Sequence, residues 1–313
     1  MGFTQVIILN WNGGTDTISC LEHVLNEKDV RITVWDNCSS DDSVNQIRTY
    51  LKTHQLAFNE YKHDQVQLCS DTKERIALIV SNKNLGFAAA VNRAIEPTLS
   101  DSNLSDIWLL NNDAIPEKSA LEELRRALYA EPKIAFAGST ILDYTHRNII
   151  QCCGVRYYKY FGVAKLQYKG QKLSEVARME VLKNRTDFQN GASLLVKATA
   201  IRDIGLMDED FFLYSEEHDW QLRGEEKEWK HVLAFDSRVY HKGSMSTSGM
   251  KHLFYYYYSK SAILLSRKHY SLLTSFVASI MLTAITVIRT RMNLKSLKWA
   301  LQGIKEAWFF KSR

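Results

Sequence analysis

The stretch Ile107-Trp108-Leu109-Leu110-Asn111-Asn112-Asp113 decides how the chain is read. Its apolar run, Ile107 to Leu110, reads as a buried strand. It stops abruptly at a polar triplet whose last member is a carboxylate. A carboxylate at a strand end can hold a divalent cation, and that cation can hold a diphosphate. About a hundred residues further on, Tyr214-Ser215-Glu216-Glu217-His218-Asp219-Trp220 opens a polar helix. If the fold brings this second acidic cluster alongside, one of its carboxylates can take a proton from an incoming hydroxyl.

Upstream, the same arrangement of apolar run and polar loop recurs. Gln5 to Leu9 ends in Asn10-Trp11-Asn12-Gly13-Gly14, after which Asp16 can cap a helix through about Asn26. Arg31 to Trp35 ends in Asp36-Asn37-Cys38-Ser39-Ser40-Asp41-Asp42-Ser43, and Asp41 or Asp42 can cap a helix toward Leu51. Ile76 to Val80 leads into Asn82-Lys83-Asn84-Leu85-Gly86 and an alanine-rich helix to Ile95. Strand, polar loop and helix in repetition is the pattern of a mostly parallel sheet flanked by helices, an α/β fold. Ligands of such sheets bind at the carboxyl ends of the strands, where all these polar loops fall. The segment Phe58 to Lys73 is polar and is expected to be an irregular insertion. Gln151 to Gln171 alternates apolar, aromatic and basic residues and is expected to form strands beside an acceptor cleft. Asn190 to Val196 reads as a strand behind a Gly turn and Lys197 to Ile204 as a helix. Phe211 to Tyr214 then delivers the acidic pair.

Composition narrows the choice of partners. The 313 residues are 45% hydrophobic and 24% charged, which is ordinary for a folded chain. The net charge of +5 hides an asymmetry, because Lys251 to Arg313 holds eleven Lys/Arg and a single acid, Glu306. A basic tail behind an acidic body points to an anionic surface. Its cations are interleaved with long apolar runs, which favours lipid headgroups over nucleic acid. The five cysteines (Cys20, Cys38, Cys69, Cys152 and Cys153) show no metal spacing, and the odd count suits a reducing, cytosolic compartment. The strand that begins at Gln5 leaves no room for a targeting segment ahead of it.

The series Leu9-Asn10-Trp11-Asn12, Asp36-Asn37-x-Ser39, Asn84-x-Gly86-Phe87-Ala88, Leu110-Asn111-Asn112-Asp113 and Glu216-Glu217-x-Asp219 resembles the family-2 glycosyltransferases. The best match is to the rhamnosyltransferase-like enzymes of cell-surface polysaccharide assembly, over residues 4 to about 268. The resemblance implies a GT-A fold, a nucleotide diphosphate sugar donor, Mg²⁺ or Mn²⁺, and transfer with inversion at the anomeric carbon. It implies donor-binding roles for Asn10, Asn12, Asp36, Asn84, Gly86, Asn111 and Asn112, with Asp36 reading the nucleobase. Asp113 would hold the metal, and Asn111 replaces the first acid of the usual Asp-x-Asp. His241, 22 residues beyond Asp219, stands where some members carry a metal-binding histidine. Of the acids Glu216, Glu217 and Asp219, the second is usually the general base. That makes Glu217 the first candidate and Asp219 the second. Adjacent carboxylates repel, so one of them should have a raised pKa. The small-residue loop Gly243 to Gly249 could close over the donor diphosphate.

The tail forms a second unit: residues 1–250 are expected to be the catalytic domain and 251–313 a helical, membrane-associating extension. His252 to Arg267 reads as a helix with four consecutive tyrosines, Tyr255 to Tyr258. Tyr270 to Ile288 holds no charge and would span about 28 Å as helix. Leu294 to Phe310 is amphipathic. Attachment in one leaflet, at the cytoplasmic face of the inner membrane, fits this pattern; an oligomer interface is the alternative. The expected function is sugar transfer from a dTDP-rhamnose-like or UDP-sugar donor to a lipid-linked or polysaccharide acceptor hydroxyl. A non-catalytic sugar-nucleotide scaffold and a sugar-1-phosphate nucleotidyltransferase are the competing readings. The latter wants a cation in its first glycine-rich loop, which Asn10 to Gly14 lacks.

Overall fold

The computed structural model describes residues 2–65, 74–243, 251–291 and 293–311. At its centre is a ten-stranded sheet. Strands β3 (Phe58–Lys62), β4 (Ile76–Val80), β2 (Val30–Asp36), β1 (Phe3–Asn10) and β5 (Leu104–Asn111) lie side by side in that order and run parallel. Each of β1, β2, β4 and β5 ends in one of the polar loops, so the loops gather along one edge. Beyond β5 the sheet becomes mixed. Strand β11 (Ser193–Lys197) runs antiparallel between β5 and β7 (Ile134–Asp143), and β12 (Lys230–His241) runs parallel to β7. The short β6 (Ala114–Pro116) pairs with the end of β12, and β8 (Ile150–Cys152) with β7. A separate hairpin joins β9 (Val155–Tyr158) to β10 (Val163–Leu166).

The continuous apolar runs arise because both sheet faces are covered. Val6, Ile8, Val34, Leu78 and Leu110 pack on one side against α1 (Gly14–Val24), α2 (Ser43–Thr53) and α4 (Ala120–Leu128). Ile7, Trp35, Ile79 and Leu109 pack on the other against α3 (Gly86–Ile95) and α6 (Ala198–Ile204). Two expectations change. Phe58 to Lys62 is a strand and not part of an irregular insertion. It sits at the sheet edge, where one face and one side stay wet, so polar content does not forbid it; Glu60 is held there by Arg48 at 2.7 Å. Asp16 does not cap α1, whose N-cap is Gly13; the Asp16 carboxylate is engaged by Lys242.

Three helices close the chain: α8 (Lys251–His269), α9 (Leu272–Arg289) and α10 (Leu294–Phe309). They share a core of Ala262, Leu265, Ala278, Leu282, Ile304 and Ala307 that also takes in Val163 and Phe211. Helix α9 is inverted relative to a soluble amphipathic helix. Its buried face carries Thr274, Ser275, Ala278, Ser279 and Thr286 beside Leu282, while Leu272, Leu273, Phe276, Ile280 and Ile288 are exposed. Contacts on the buried face are small-residue and hydroxyl contacts, such as Ser266 to Ser275 (3.1 Å) and Trp308 to Ser279 (3.0 Å).

The α8–α10 crossing depends on Gly303. A side chain there would run into the Tyr256 carbonyl and come within 3.1 Å of the Lys260 amide. Gly303→Ala should therefore lower stability by roughly 1–3 kcal/mol through overpacking. An unchanged melting temperature would show that α10 does not dock as described.

Candidate active site

Two loops at the ends of β1 and β2 are tied to one another before any ligand is considered. The Asn10 amide, fully buried, donates to Asp36 (2.7 Å) and Ser39 (3.1 Å), and its oxygen accepts from Thr17 (2.7 Å). Asp36 also accepts from the Ser39 amide and hydroxyl and is 1% exposed. Asn12, in left-handed conformation, accepts from the Ser40 amide at 2.7 Å. Asn84 accepts from the Gly86 amide (2.9 Å) and from Asn37 (3.0 Å). Asn112 donates to Thr17 at 3.1 Å, joining the β5 loop to α1. Asn10, Asp36, Asn84 and Asn112 thus hold loops in register. Gly86 has φ +79°, and a Cβ there would collide with the Phe212 carbonyl. The close approach it permits is made by the loop leading to the acidic cluster, with the Phe87 amide donating to that carbonyl at 2.7 Å.

At the end of β5, Asp113 and His241 meet, with Asp113 Oδ1 3.1 Å from His241 Nε2. Pairing of β6 with β12 (Ala114 opposite His241) brings them together. The ring orientation is set by Gln151. Its Nε2 donates to the His241 carbonyl at 2.6 Å, which turns Gln151 Oε1 toward His241 Nδ1 at 3.1 Å. Nδ1 must then be the donor, and a neutral ring presents the Nε2 lone pair to Asp113. The Asn111 amide lies 3.3 Å from the same nitrogen. With Nδ1 committed to Gln151, the Nε2 lone pair and the Asp113 oxygen can share a cation. Two bonds of about 2.1 Å at right angles put ligand atoms about 3.0 Å apart, so the pair fits two adjacent positions of an octahedral Mg²⁺ or Mn²⁺. The remaining Asp113 oxygen accepts from the Gly243 amide at 3.1 Å. Among the described residues no group of three or more His, Cys, Asp or Glu forms a complete metal cage. Further ligands would have to come from substrate oxygens and water.

The second acidic cluster opens α7 (Glu216–Glu226) and reaches the same edge through β11. The Asn111 amide donates to the Ala192 carbonyl (3.0 Å), and the preceding residue, Gly191, lies against the Glu217 side chain, its N–H favouring the ionised carboxylate. Its three acids have separate environments. Glu217 is partly exposed. Glu216 is 5% exposed, and its Oε2 has no hydrogen-bond partner. Burial, and then the charge on Glu217, push the Glu216 carboxyl well above its ordinary range. Burial also raises Glu217, opposed by backbone N–H bonds that include Gly191. Glu216 therefore keeps the proton and Glu217 is the member that ionises first. Asp219 differs from both: it is 1% exposed and held by Arg223 (2.9 Å) and His269 (2.8 Å). Those bonds outweigh the upward push of burial and leave its carboxyl below the ordinary value. Asp219 locks α7 to α8. His218, between Glu217 and Asp219 in sequence, is buried, stacked on Phe188 at 4.1 Å and edge-on to Tyr157 at 4.6 Å.

Sequence reasoning did not find Gln151, Gly191 or His269 as parts of the site. Only Gly191 carried a signal, the Asn190-Gly191 turn ahead of β11. The loop 244–249 and Cys69 lie outside the described residues. The four cysteines among the described residues are free.

Residues 5–177 match the sequence model for glycosyl transferase family 2. The chain belongs to that family. Solved structures agree in fold at low sequence identity. A mannosyltransferase from Pyrobaculum calidifontis, PcManGT, crystallised with GDP-Man and Mn²⁺, superposes with a TM-score of 0.56 at 12% identity, over 100% of this chain and 76% of that one. The 1–349 piece of S. aureus TarS gives 0.54 at 11%, over 97% and 80%. GalNAc-T7 with UDP, GalNAc and Mn²⁺ gives 0.56 at 14%, over 96% and 56%. Among curated proteins none matches. The fold of this glycosyltransferase is GT-A, with helices appended at the C-terminus.

Because Glu216 is buried with a raised pKa, its contribution to stability is complete at acid pH, below the ordinary value of 4.5. It is lost as pH rises through the higher folded value. Melting temperature should fall across that upper range in the parent protein. Glu216→Gln, which has no proton to lose, should flatten the profile. Parallel profiles would show that Glu216 is not the protonated member.

Proposed function

We propose that this glycosyltransferase moves a sugar, with inversion, from a nucleotide diphosphate sugar to a hydroxyl of a lipid-linked or polysaccharide acceptor at the cytoplasmic face of the membrane. The convergence of Asp113 and His241 with Glu217, across the Asn111–Ala192 hydrogen bond, is the observation that carries this reading. Asp113 and His241 would hold Mg²⁺ or Mn²⁺, which supplies positive charge to the diphosphate as it leaves. Glu217 accepts the proton of the acceptor hydroxyl as that oxygen attacks the anomeric carbon. Attack opposite the leaving diphosphate inverts the centre. Gly191 N–H holds the Glu217 carboxylate in place, and protonated Glu216 leaves it as the one base of the pair. The rhamnosyltransferase-like motif series favours a dTDP-rhamnose-like donor, with UDP-sugars as the second class to test.

The metal pair is tested without turnover. Asp113→Ala should abolish Mn²⁺-dependent binding of dTDP or UDP in calorimetry. Gln151→Leu, which frees the His241 ring, should weaken Mn²⁺ affinity by roughly 10–100-fold. Unchanged metal dependence in Asp113→Ala would sink the assignment.

The base is tested kinetically. Glu217→Gln should lower kcat by ~10²–10⁴ with nucleotide affinity kept. In the parent, kcat should rise with pH as Glu217 ionises, with its limb above the ordinary carboxylate range. If Asp219→Asn is inactive while folded and Glu217→Gln near normal, the base is Asp219.

The inverted α9 supports attachment to a bilayer. Its 18 residues have a mean hydropathy of 1.9 and are only 28% buried. Lipid tails impose no hydrophobic drive between helices, so small and hydroxyl residues pack inward and large apolar ones face out. Arg289, Arg291, Lys295 and Lys298 follow at its end, each worth about 1 kcal/mol near an anionic surface. With one face docked on the protein, α9 suits lying in one leaflet better than crossing it. The full chain should float with anionic liposomes and only partly release in high salt, since the apolar part is unscreened. A chain that ignores liposomes and runs as a stable oligomer would make this face a protein interface.

A further inference from the structure

A cavity of about 750 Å³ opens between the β9–β10 hairpin and the C-terminal end of α9, lined by Tyr158, Lys165, Tyr168, Lys169, Tyr258 and Arg289 among others. A second, of about 410 Å³, shares Tyr158, Lys165 and Tyr168 and adds Arg156. Among the described residues no Asp or Glu lines either one. The charge is concentrated by design of the hairpin, because Arg156 and Lys165 stand directly opposite each other across the two strands. Like charges in that position destabilise the pair unless something neutralises them. Asp187 serves Arg156 at 3.4 Å. Among the described residues no carboxylate pairs with Lys165, Lys169 or Arg289. Arg289 instead lines the cavity together with Tyr258.

The groove lies between two surfaces already described. Gly162, in the hairpin turn, sits against Ala278 and Leu282 of α9, and the turn leaves Tyr160 and Phe161 exposed beside that helix. On the other side, Tyr157 of β9 meets the ring of His218, next to Glu217 in sequence. A lipid whose tail lies along the apolar face of α9 would thus bring its headgroup to the cationic groove.

We propose that this groove binds the phosphate or diphosphate group of a lipid-phosphate acceptor, an assignment that rests on the transfer reading for the word acceptor. Lysine and arginine give charge-assisted bonds to phosphate oxygens, and tyrosine hydroxyls supply further donors. An uncharged polysaccharide would leave three cations facing one another, and nucleic acid would gain nothing from the apolar helix alongside.

The test uses the full chain in neutral phosphatidylcholine nanodiscs, titrated with farnesyl diphosphate in EDTA so that a metal-held diphosphate is silent. Farnesyl diphosphate should bind and farnesol should not. The variant Lys165→Ala/Lys169→Ala/Arg289→Gln should lose at least roughly tenfold in affinity with its unfolding temperature kept, and Lys165→Arg should bind as the parent does. Lys165→Ala and Lys169→Ala singly, at exposed positions, should each weaken binding if the triple variant fails to fold. Equal binding of farnesol, or of the neutralised variants, overturns the proposal. So does a variant that loses affinity for phosphatidylglycerol nanodiscs while binding farnesyl diphosphate normally, since the cations would then read bulk lipid charge. Mn²⁺-dependent nucleotide binding on the same sample reports on the transfer reading alone, so the two can fail separately.

Discussion

The antiparallel pairing of β11 onto β5 is the constraint on which the rest of the site depends. Parallel strands alone would bring the Asn10, Asp36, Asn84 and Asp113 loops to one edge, and they do. They would not bring a base. Because Ser193 lies opposite Leu110, the chain entering β11 must pass Gly191 and Ala192 beside Asn111. Glu217 then needs only to reach Gly191 to stand one strand away from Asp113. A register slip of one residue would move the alternate faces of β11 and separate the two groups.

That placement puts the acids under tension, which the C-terminal helices hold. Tyr214 and Ser215, just before Glu216, both have φ of 69°. Left-handed backbone costs a non-glycine residue about 1–2 kcal/mol, so two in succession need support from packing. Helix α8 supplies it: Tyr214 packs edge-on to Phe254 and Tyr258, Phe212 stacks on Tyr257 at 4.8 Å, and Ser261 donates to the Leu213 carbonyl at 2.7 Å. Lys268 pairs with Asp208 and Asp210 and His269 with Asp219. Of the four consecutive tyrosines, Tyr257 and Tyr258 are therefore part of a clamp on the loop that leads to Glu217, while Tyr256 faces α10.

Much of this was legible in the sequence, and the reason is local. A parallel strand buried on both faces writes itself as an apolar run, and its polar loop follows at once, so β1, β2, β4 and β5 and their loops could be found. Glu216 and Glu217 were visible as charges at a helix start. What could not be read is which hydrogen bonds each side chain makes with distant residues. Asn112 is bound to Thr17 and Gly86 to Phe212, pairs separated by 95 and 126 positions, the first by hydrogen bond and the second by close packing. Gln151 left no trace, since a glutamine in a short strand looks like any other polar residue until His241 is seen against it. The edge strand β3 was missed because an edge tolerates polarity that a central strand does not.

The split between Glu216 and Glu217 shows how two identical side chains come to differ. Both lie in the first turn of α7, where the helix dipole favours negative charge. The dipole alone would ionise both. Each keeps its own backbone N–H, and burial opposes ionisation more at Glu216, whose Oε2 has no partner, than at Glu217, which the Gly191 N–H favours as well. One proton shared between them falls to the more deeply buried member, and the other is left charged, partly exposed and facing the edge where Asp113 sits. The proposed base is thus set apart from its neighbour less by the acid itself than by how deeply the fold buries each one.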